Sequence, residues 1–383
     1  MKQFILTLLL FRLLAAAAAT PATEFYLWQR RWTPDVARAL ERNDSALQIF
    51  AAELSAAGIE RSEAPAELWK RQNVTAVFRL RVDALNLPGF TRLAAEISRN
   101  GCSRIQIDAD VPERRLAEYA ALLRTLRSKL SPHVEEFSVT ALPCHLGRAG
   151  FAAVAAETDY YVLQLHGLNV PGRIDEPYAL IDETISRTAI RRARQLGKPF
   201  RIALPAYAYR LEFDETGNFT AIAAEGAAPP AAGRRIRLAA PEPELLAALI
   251  RENPDIGRIW FRLPVGGDRL CYDRASIESF ERGEIPTTRL EIKLRRVAEN
   301  ALELWITPHA RLQLEPLELA LEWPDRHGEF EPAPGTGTSP EKLPFGILPE
   351  RLTVEFPGCG AEIRVATFLV DETNPPIVKE ITP

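Results

Sequence analysis

Asp108 and Asp110 stand two residues apart in the stretch Cys102-Ser103-Arg104-Ile105-Gln106-Ile107-Asp108-Ala109-Asp110. Ile105, Ile107 and Ala109 alternate with Gln106, Asp108 and Asp110. A strand repeats every two residues, so the three polar side chains share one face. Carboxylates so spaced lie roughly 7 Å apart at Cα. Ionised together in a partly buried place they repel, which raises one pKa and leaves a proton for acid catalysis. The same spacing equally fits two solvated strand-end acids that cap or bridge to arginines.

Other chemistry-bearing residues sit at the ends of strand-like runs. Trp28, Arg30, Arg79, Arg81, Thr140, His145, Gln164, His166, Tyr207, Tyr209 and Arg262 all do so. Aromatic rings cover the C–H faces of a sugar while amides, acids and arginines read its hydroxyls. Trp28, Arg79, Gln164, His166, Tyr207 and Arg262 are therefore the candidate substrate-binding residues beside Asp108 and Asp110. Each has a plain structural alternative. Trp28 and Trp260 fit a core, and Arg79 or Arg262 could neutralise Asp108 and Asp110, which would depress their pKa. His166 projects with Gln164 and could act as an acid or base near neutral pH, or sit as a satisfied core histidine. Asp108, Asp110 and His166 could bind a divalent ion, but their spacing does not favour one. No Gly-x-Ser-x-Gly elbow supplies a serine nucleophile.

These residues need a frame that gathers strand ends. Phe25–Gln29, Leu47–Ala51, Val74–Leu80, Arg104–Asp110, Phe137–Leu142, Tyr160–His166, Phe200–Leu204 and Gly257–Leu263 read as eight strands. Helices are expected after Thr33-Pro34-Asp35, after Pro88-Gly89, from Pro112, over Arg148–Ala156, Tyr178–Leu196 and Glu242–Arg251. Gly101 and Gly197 stop two of them. The helix from Pro112 buries a stripe of Leu116, Ala120, Leu123 and Arg127, widened by Leu126 and Leu130. Tyr209–Ile222 reads as a hairpin around Asp214-Glu215-Thr216-Gly217-Asn218. Alternating strands and helices predict an α/β fold with parallel pairing. No Gly-x-Gly-x-x-Gly or Walker sequence follows a strand, so no nucleotide cofactor is implied and a (β/α)8 TIM barrel is preferred. After about Ile285 the helices stop. Leu290–Val297, Ala301–Thr307, Leu312–Trp323, Leu352–Phe356 and Ile363–Val370 read as strands of a small all-β, sandwich-like unit, with 324–349 a long loop.

With 383 residues, 46% hydrophobic and 26% charged, the chain can bury a large core. A net charge of −4 gives no basic footprint for nucleic acid. Lys2, the apolar run Phe4–Leu14 and Ala17-Ala18-Ala19 read as an export signal cleaved near Thr20, although Arg12 interrupts the run. The expected division is therefore 1–19 signal peptide, 20–284 barrel and 285–383 β domain, in the periplasm or outside the cell. A membrane contact would come only through an uncleaved signal anchor. Cys102, Cys144, Cys271 and Cys359 lack zinc-site spacing; export would permit a disulfide, but they are expected as separate buried thiols.

Six blocks carry a resemblance: Tyr26–Trp32, Gln106–Asp110, Leu116–Tyr119, Ser138–Pro143, Pro199–Tyr207 and Trp260–Pro264. In this order, across about Phe25 to Phe280, they resemble a bacterial domain-of-unknown-function family (DUF3142). The resemblance implies a TIM barrel related to glycoside hydrolases and leaves the activity open. A more distant similarity is to chitinase-like glycoside hydrolases, whose fourth strand carries Asp-x-Asp-x-Glu. Asp108 and Asp110 align with its two aspartates and Pro112 stands where its acid glutamate would be. The expectation is an exported barrel acting on a polysaccharide or oligosaccharide, with Asp110 the better acid and Asp108 tuning it. Its rivals are a glycan-binding barrel that lost the acid, and an envelope assembly or scaffold protein.

Overall fold

The computed structural model describes residues 23–130, 134–167, 169–224, 232–339, 341–370 and 375–381. The export signal expected at 1–19 lies outside them. In chain order the first part runs β1 (Glu24–Leu27), α1 (Pro34–Glu41), β2 (Ala46–Leu54), β3 (Ile59–Arg61), β4 (Val74–Leu80) and α2 (Leu87–Asn100). Next come β5 (Arg104–Asp108), α3 (Leu116–Leu130), β6 (Glu136–Ala141), α4 (Ala149–Ala156), β7 (Tyr160–Gln164), α5 (Glu183–Leu196) and β8 (Phe200–Pro205). β9 (Tyr209–Phe213), β10 (Phe219–Ala223), β11 (Arg235–Ala239), α6 (Pro243–Glu252), β12 (Gly257–Phe261) and α7 (Arg274–Glu281) complete it.

Eight of these strands, β1, β2, β4, β5, β6, β7, β8 and β12, pair in parallel, and β1 pairs with both β2 and β12. The sheet therefore closes into a (β/α)8 barrel. All eight expected strands are in it. Buried on both faces, most of these strands read as apolar runs, which made them legible, whereas β5 was read from its alternation. The helix ends follow their caps. Asn86 accepts from Gly89 N at 2.9 Å, Asp182 from Ile185 N at 2.8 Å, and Gly101 and Gly197 adopt the left-handed conformation at the stops.

Several expectations are corrected. The chain does not enter a helix at Pro112: a 3-10 turn, Glu113–Arg115, comes first and α3 begins at Leu116. Pro112 is extended, with ψ 137°, and caps that turn. Arg127 leaves the apolar stripe, bonding Asp159 and the Glu157 carbonyl on the surface. Tyr119 takes a buried place on that face. The helix expected from Tyr178 starts only after the Asp182 cap. No α-helix stands between β2 and β4. A short antiparallel strand, β3, and a 3-10 turn, Ala66–Lys70, fill that crossover. The hairpin gains a third strand, giving order β10-β9-β11.

Strand periodicity sorts the barrel side chains into two sets. Odd positions of β5 (Ile105, Ile107) join the large core between barrel and helices, with Phe25, Val139, Leu163 and Trp260. The other set fills the barrel interior. Tyr26, Val77, Tyr160, Val162, Ala203 and Ile259 form its apolar middle, with Trp28 and Phe261 packed above. Below, Glu24 accepts from Gln48 at 2.9 Å and from Arg201 at 2.8 Å, closing the lower end with polar groups. The upper end is left to the strand termini.

Beyond the barrel lie β13 (Arg289–Ala298), β14 (Ala301–His309), β15 (Leu317–Glu322), β16 (Glu329–Pro332), β17 (Thr336–Thr338), β18 (Arg351–Val354), β19 (Ile363–Leu369) and β20 (Ile377–Glu380). They form two four-stranded antiparallel sheets, β13-β14-β19-β16 and β17-β18-β15-β20, around one apolar cluster. The expected 324–349 loop contains β16 and β17, and the strand expected from Leu312 starts at Leu317.

Candidate functional site

The C-terminal ends of the barrel strands surround a cavity of about 670 Å3. Asp108, Asp110, Trp28, Arg79, Gln164, His166, Tyr207 and Arg262, the eight residues picked from the sequence, all line it. Each projects from a strand end or the first residues beyond it, where a barrel collects side chains from distant parts of the chain.

Strand β5 sets the depth of three polar groups. Gln106 is fully buried, accepting from the Tyr26 hydroxyl at 2.6 Å and donating to Ser138 Oγ at 3.3 Å. Asp108, two residues higher, is 7% exposed. Its Oδ1 accepts from the Thr140 hydroxyl at 2.8 Å and its Oδ2 from Arg79 Nη1 at 3.3 Å. Asp110 lies just past the strand end, with half its side chain exposed, and accepts from Arg79 Nη2 at 3.2 Å. One guanidinium thus bridges both acids. Burial pushes the Asp108 carboxyl above the usual carboxylate range, outweighing the lowering by Arg79 and joined by repulsion from Asp110. The alternative in which arginine pairing depresses the acids therefore does not hold at Asp108. Arg79 also lies 5.9 Å from the Trp28 ring.

Arg262 does not neutralise the aspartates. It is 2% exposed and pairs with Asp268, while Nη2 donates to the Ala224 carbonyl at 3.0 Å. His166 also departs from expectation. It is 4% exposed, and burial lowers its pKa to about 3, so the ring is neutral near pH 7 and is no acid–base switch there. Its Nδ1 meets the Tyr207 hydroxyl at 3.2 Å, and its Nε2 has no hydrogen-bond partner among the described residues. Gln164 Nε2 donates to the His166 carbonyl at 3.2 Å.

Phe261 ties the aromatic wall together. Its ring centroid lies 5.6 Å from Tyr26, 5.8 Å from Trp28, 5.4 Å from His166 and 5.5 Å from Tyr207. Tyr209 stands edge-on to Tyr207 at 4.9 Å. Trp28 is half-buried and faces this cavity, whereas Trp260 is fully buried outside the barrel, its indole donating to Glu281 at 2.5 Å. Sequence reasoning missed Tyr26 and Phe261. Strand parity could have found both, because Tyr26 shares a face with Trp28 and Phe261 opposes Trp260.

Two other strand-end residues stay out of the cavity lining. His145 holds a turn: it accepts from Leu142 N at 3.1 Å through Nδ1, and its Nε2 lies 2.8 Å from the Val111 carbonyl. Arg81 faces Glu53 at 3.7 Å. All four cysteines are free thiols, but only Cys102 and Cys271 are buried: Cys359 is half-buried and Cys144, on the turn after β6, is exposed, against expectation. Among the described residues no three His, Cys, Asp or Glu side chains converge as metal ligands, and no helix is long and apolar enough to cross a membrane.

A buried acid, a half-exposed acid, a shared guanidinium and a wall of rings can bind a polar ring compound and deliver a proton to it. The profile of the family described as "Domain of unknown function (DUF3142)" matches residues 89–266, inside the stretch that carries the sequence resemblance. No curated protein matches the chain. A chitinase from Chromobacterium violaceum is similar in structure, with a TM-score of 0.50 and 13% identity over 69% of this chain and 98% of that one. The spore cortex-lytic enzyme SleL of Bacillus megaterium reaches a TM-score of 0.48 at 12% identity, over 63% and 70% of the two chains. At such identity the likeness to the chitinase is one of fold alone, that of the (β/α)8 barrel.

Proposed function

We propose that the upper cavity binds a glycan and that the chain is a glycoside hydrolase-like protein acting on a polysaccharide. The observation that carries this reading is the Asp108–Asp110 pair, bridged by Arg79 and facing an aromatic wall. Pro112 sits in an extended cap and does not line the cavity. The inward side chains of this strand are Gln106, Asp108 and Asp110, so the carboxyl nearest the mouth is Asp110. In this reading Asp110 meets the glycosidic oxygen. Asp108, whose pKa burial raises, orients Asp110 through the Arg79 guanidinium they share. Trp28 and Phe261 would cover the apolar sugar face, and Tyr207, Gln164 and the neutral His166 would hold hydroxyls.

Release of reducing ends from a panel of polysaccharides tests it. Asp110→Asn is expected to lower turnover about 10²–10⁴-fold, the usual contribution of a positioned acid. Asp108→Asn is expected to lower it by less. Turnover unchanged in Asp110→Asn would refute the assignment. The second reading, a glycan-binding barrel without turnover, is favoured by Arg79 holding both acids. It predicts binding that survives Asp110→Asn and yields no products. The export reading and its boundaries, 1–19, 20–284 and 285–383, are part of the proposal. N-terminal sequencing of the secreted or periplasmic protein tests the first, with a mature start near Thr20 expected.

A further inference from the structure

A second cavity, about 710 Å3, lies against the first and shares Asp110, Gln164 and Gly167 with it. Asp110 therefore stands at a junction with binding space on two sides. The linings differ. The first is walled by aromatic rings. The second has an apolar side of Leu142, Pro143 and Ala189 and a polar row along α5. Thr184, Thr188 and Arg192 recur at intervals of four on that helix and so lie one above another. Arg192 is exposed and donates from Nη1 to the Leu146 carbonyl at 3.3 Å. No carboxylate among the described residues pairs with it. Arg31, lining the first cavity, is likewise exposed and without a carboxylate partner among the described residues. Elsewhere around the mouth the arginines are matched: Arg30 with Glu53 and Glu60, Arg79 with both aspartates, Arg262 with Asp268.

We propose that the two cavities form one cleft for an extended, carboxylate-bearing polysaccharide. Units on either side of the bond at Asp110 occupy the two halves, and Arg192 and Arg31 each receive an acidic substituent. This rests on the glycan reading above and adds length and charge to it. A carboxylate facing a guanidinium gains a charge-assisted, two-pronged hydrogen bond that a neutral sugar cannot make.

The test uses the full chain in affinity electrophoresis against hyaluronan, polygalacturonate and alginate, each beside its carboxyl-reduced counterpart. At least one acidic polymer is expected to retard the protein, with affinity about tenfold above its reduced form. Arg192→Gln should lower that preference and its combination with Arg31→Gln should abolish it, while Ile185→Trp, which fills the second cavity, should weaken polymers but leave a disaccharide's affinity within twofold. Arg192 and Ile185 are on the helix surface, and unchanged melting temperatures check the fold. Equal binding of acidic and reduced polymers, or an Arg192→Gln variant with the preference intact, would overturn this inference while leaving the glycan reading standing. Binding of no glycan at all would overturn both.

Discussion

His166 separates what a residue type suggests from what its surroundings allow. Histidine usually titrates near pH 6.5, but this ring is enclosed by Tyr207 and Phe261 and its pKa falls to about 3. Between those two values the unfolded chain binds a proton that the folded chain refuses. The stability contributed by the neutral ring is therefore complete above about pH 6.5 and is lost as pH falls toward 3. His166→Gln is expected to flatten that acid limb in denaturant midpoints measured from pH 7 to 4. An unchanged slope would show that the ring carries no such linkage. That one acid of the Asp108–Asp110 pair is raised was readable, since charge repulsion follows from spacing, but not that it is Asp108. Its burial, which dominates, was not readable, because depth inside a closed sheet depends on all eight strands.

At the level of elements, position in the loop decides what can stand beside the rings. Gly167 follows β7 with φ +66°, and a Cβ there would meet the Tyr209 hydroxyl at 3.2 Å and the Tyr207 hydroxyl at 3.4 Å. Gly167→Ala is expected to cost about 1 kcal/mol of stability and to weaken glycan binding by displacing the two tyrosines. Urea melts and a binding isotherm check this, and full affinity in the variant would contradict it. Most barrel strands were revealed by their buried apolar runs, and β13 and β15 by apolar–polar alternation. The sequence concealed β3, β16 and β17, which are three or four residues long and bury none of their residues fully. A run such as Glu329-Phe330-Glu331-Pro332 has too little apolar periodicity to be told from a loop. The candidate site was legible to the extent that it consists of polar groups at strand ends. Tyr26 and Phe261 were hidden because an aromatic ring inside an apolar run reads as core until the strand's inward face is known.

The whole molecule links the terminal sheets to the cavity through one loop. Arg262 is balanced by Asp268, and the following Arg269 pairs with Glu355 at 2.8 Å. Gly358 presses on the same loop: with φ +104°, a Cβ there would lie 2.8 Å from the Asp268 carbonyl. The β sheets thus brace the segment that holds Arg262 in place. Gly358→Ala is expected to destabilise the chain by about 1–3 kcal/mol and to weaken glycan binding. Gly346→Ala, also left-handed but with nothing within 4 Å, should cost stability alone. Equal binding losses in the two variants would remove the bracing role.

The most direct measurement is a crystal structure of Asp110→Asn soaked with an oligosaccharide retained in affinity electrophoresis. The account predicts sugar rings against Trp28 and Phe261, with a glycosidic oxygen within hydrogen-bond reach of position 110 and hydroxyls on Gln164 and Tyr207. Sugar bound only outside the barrel mouth, with that cavity filled by solvent, would contradict it.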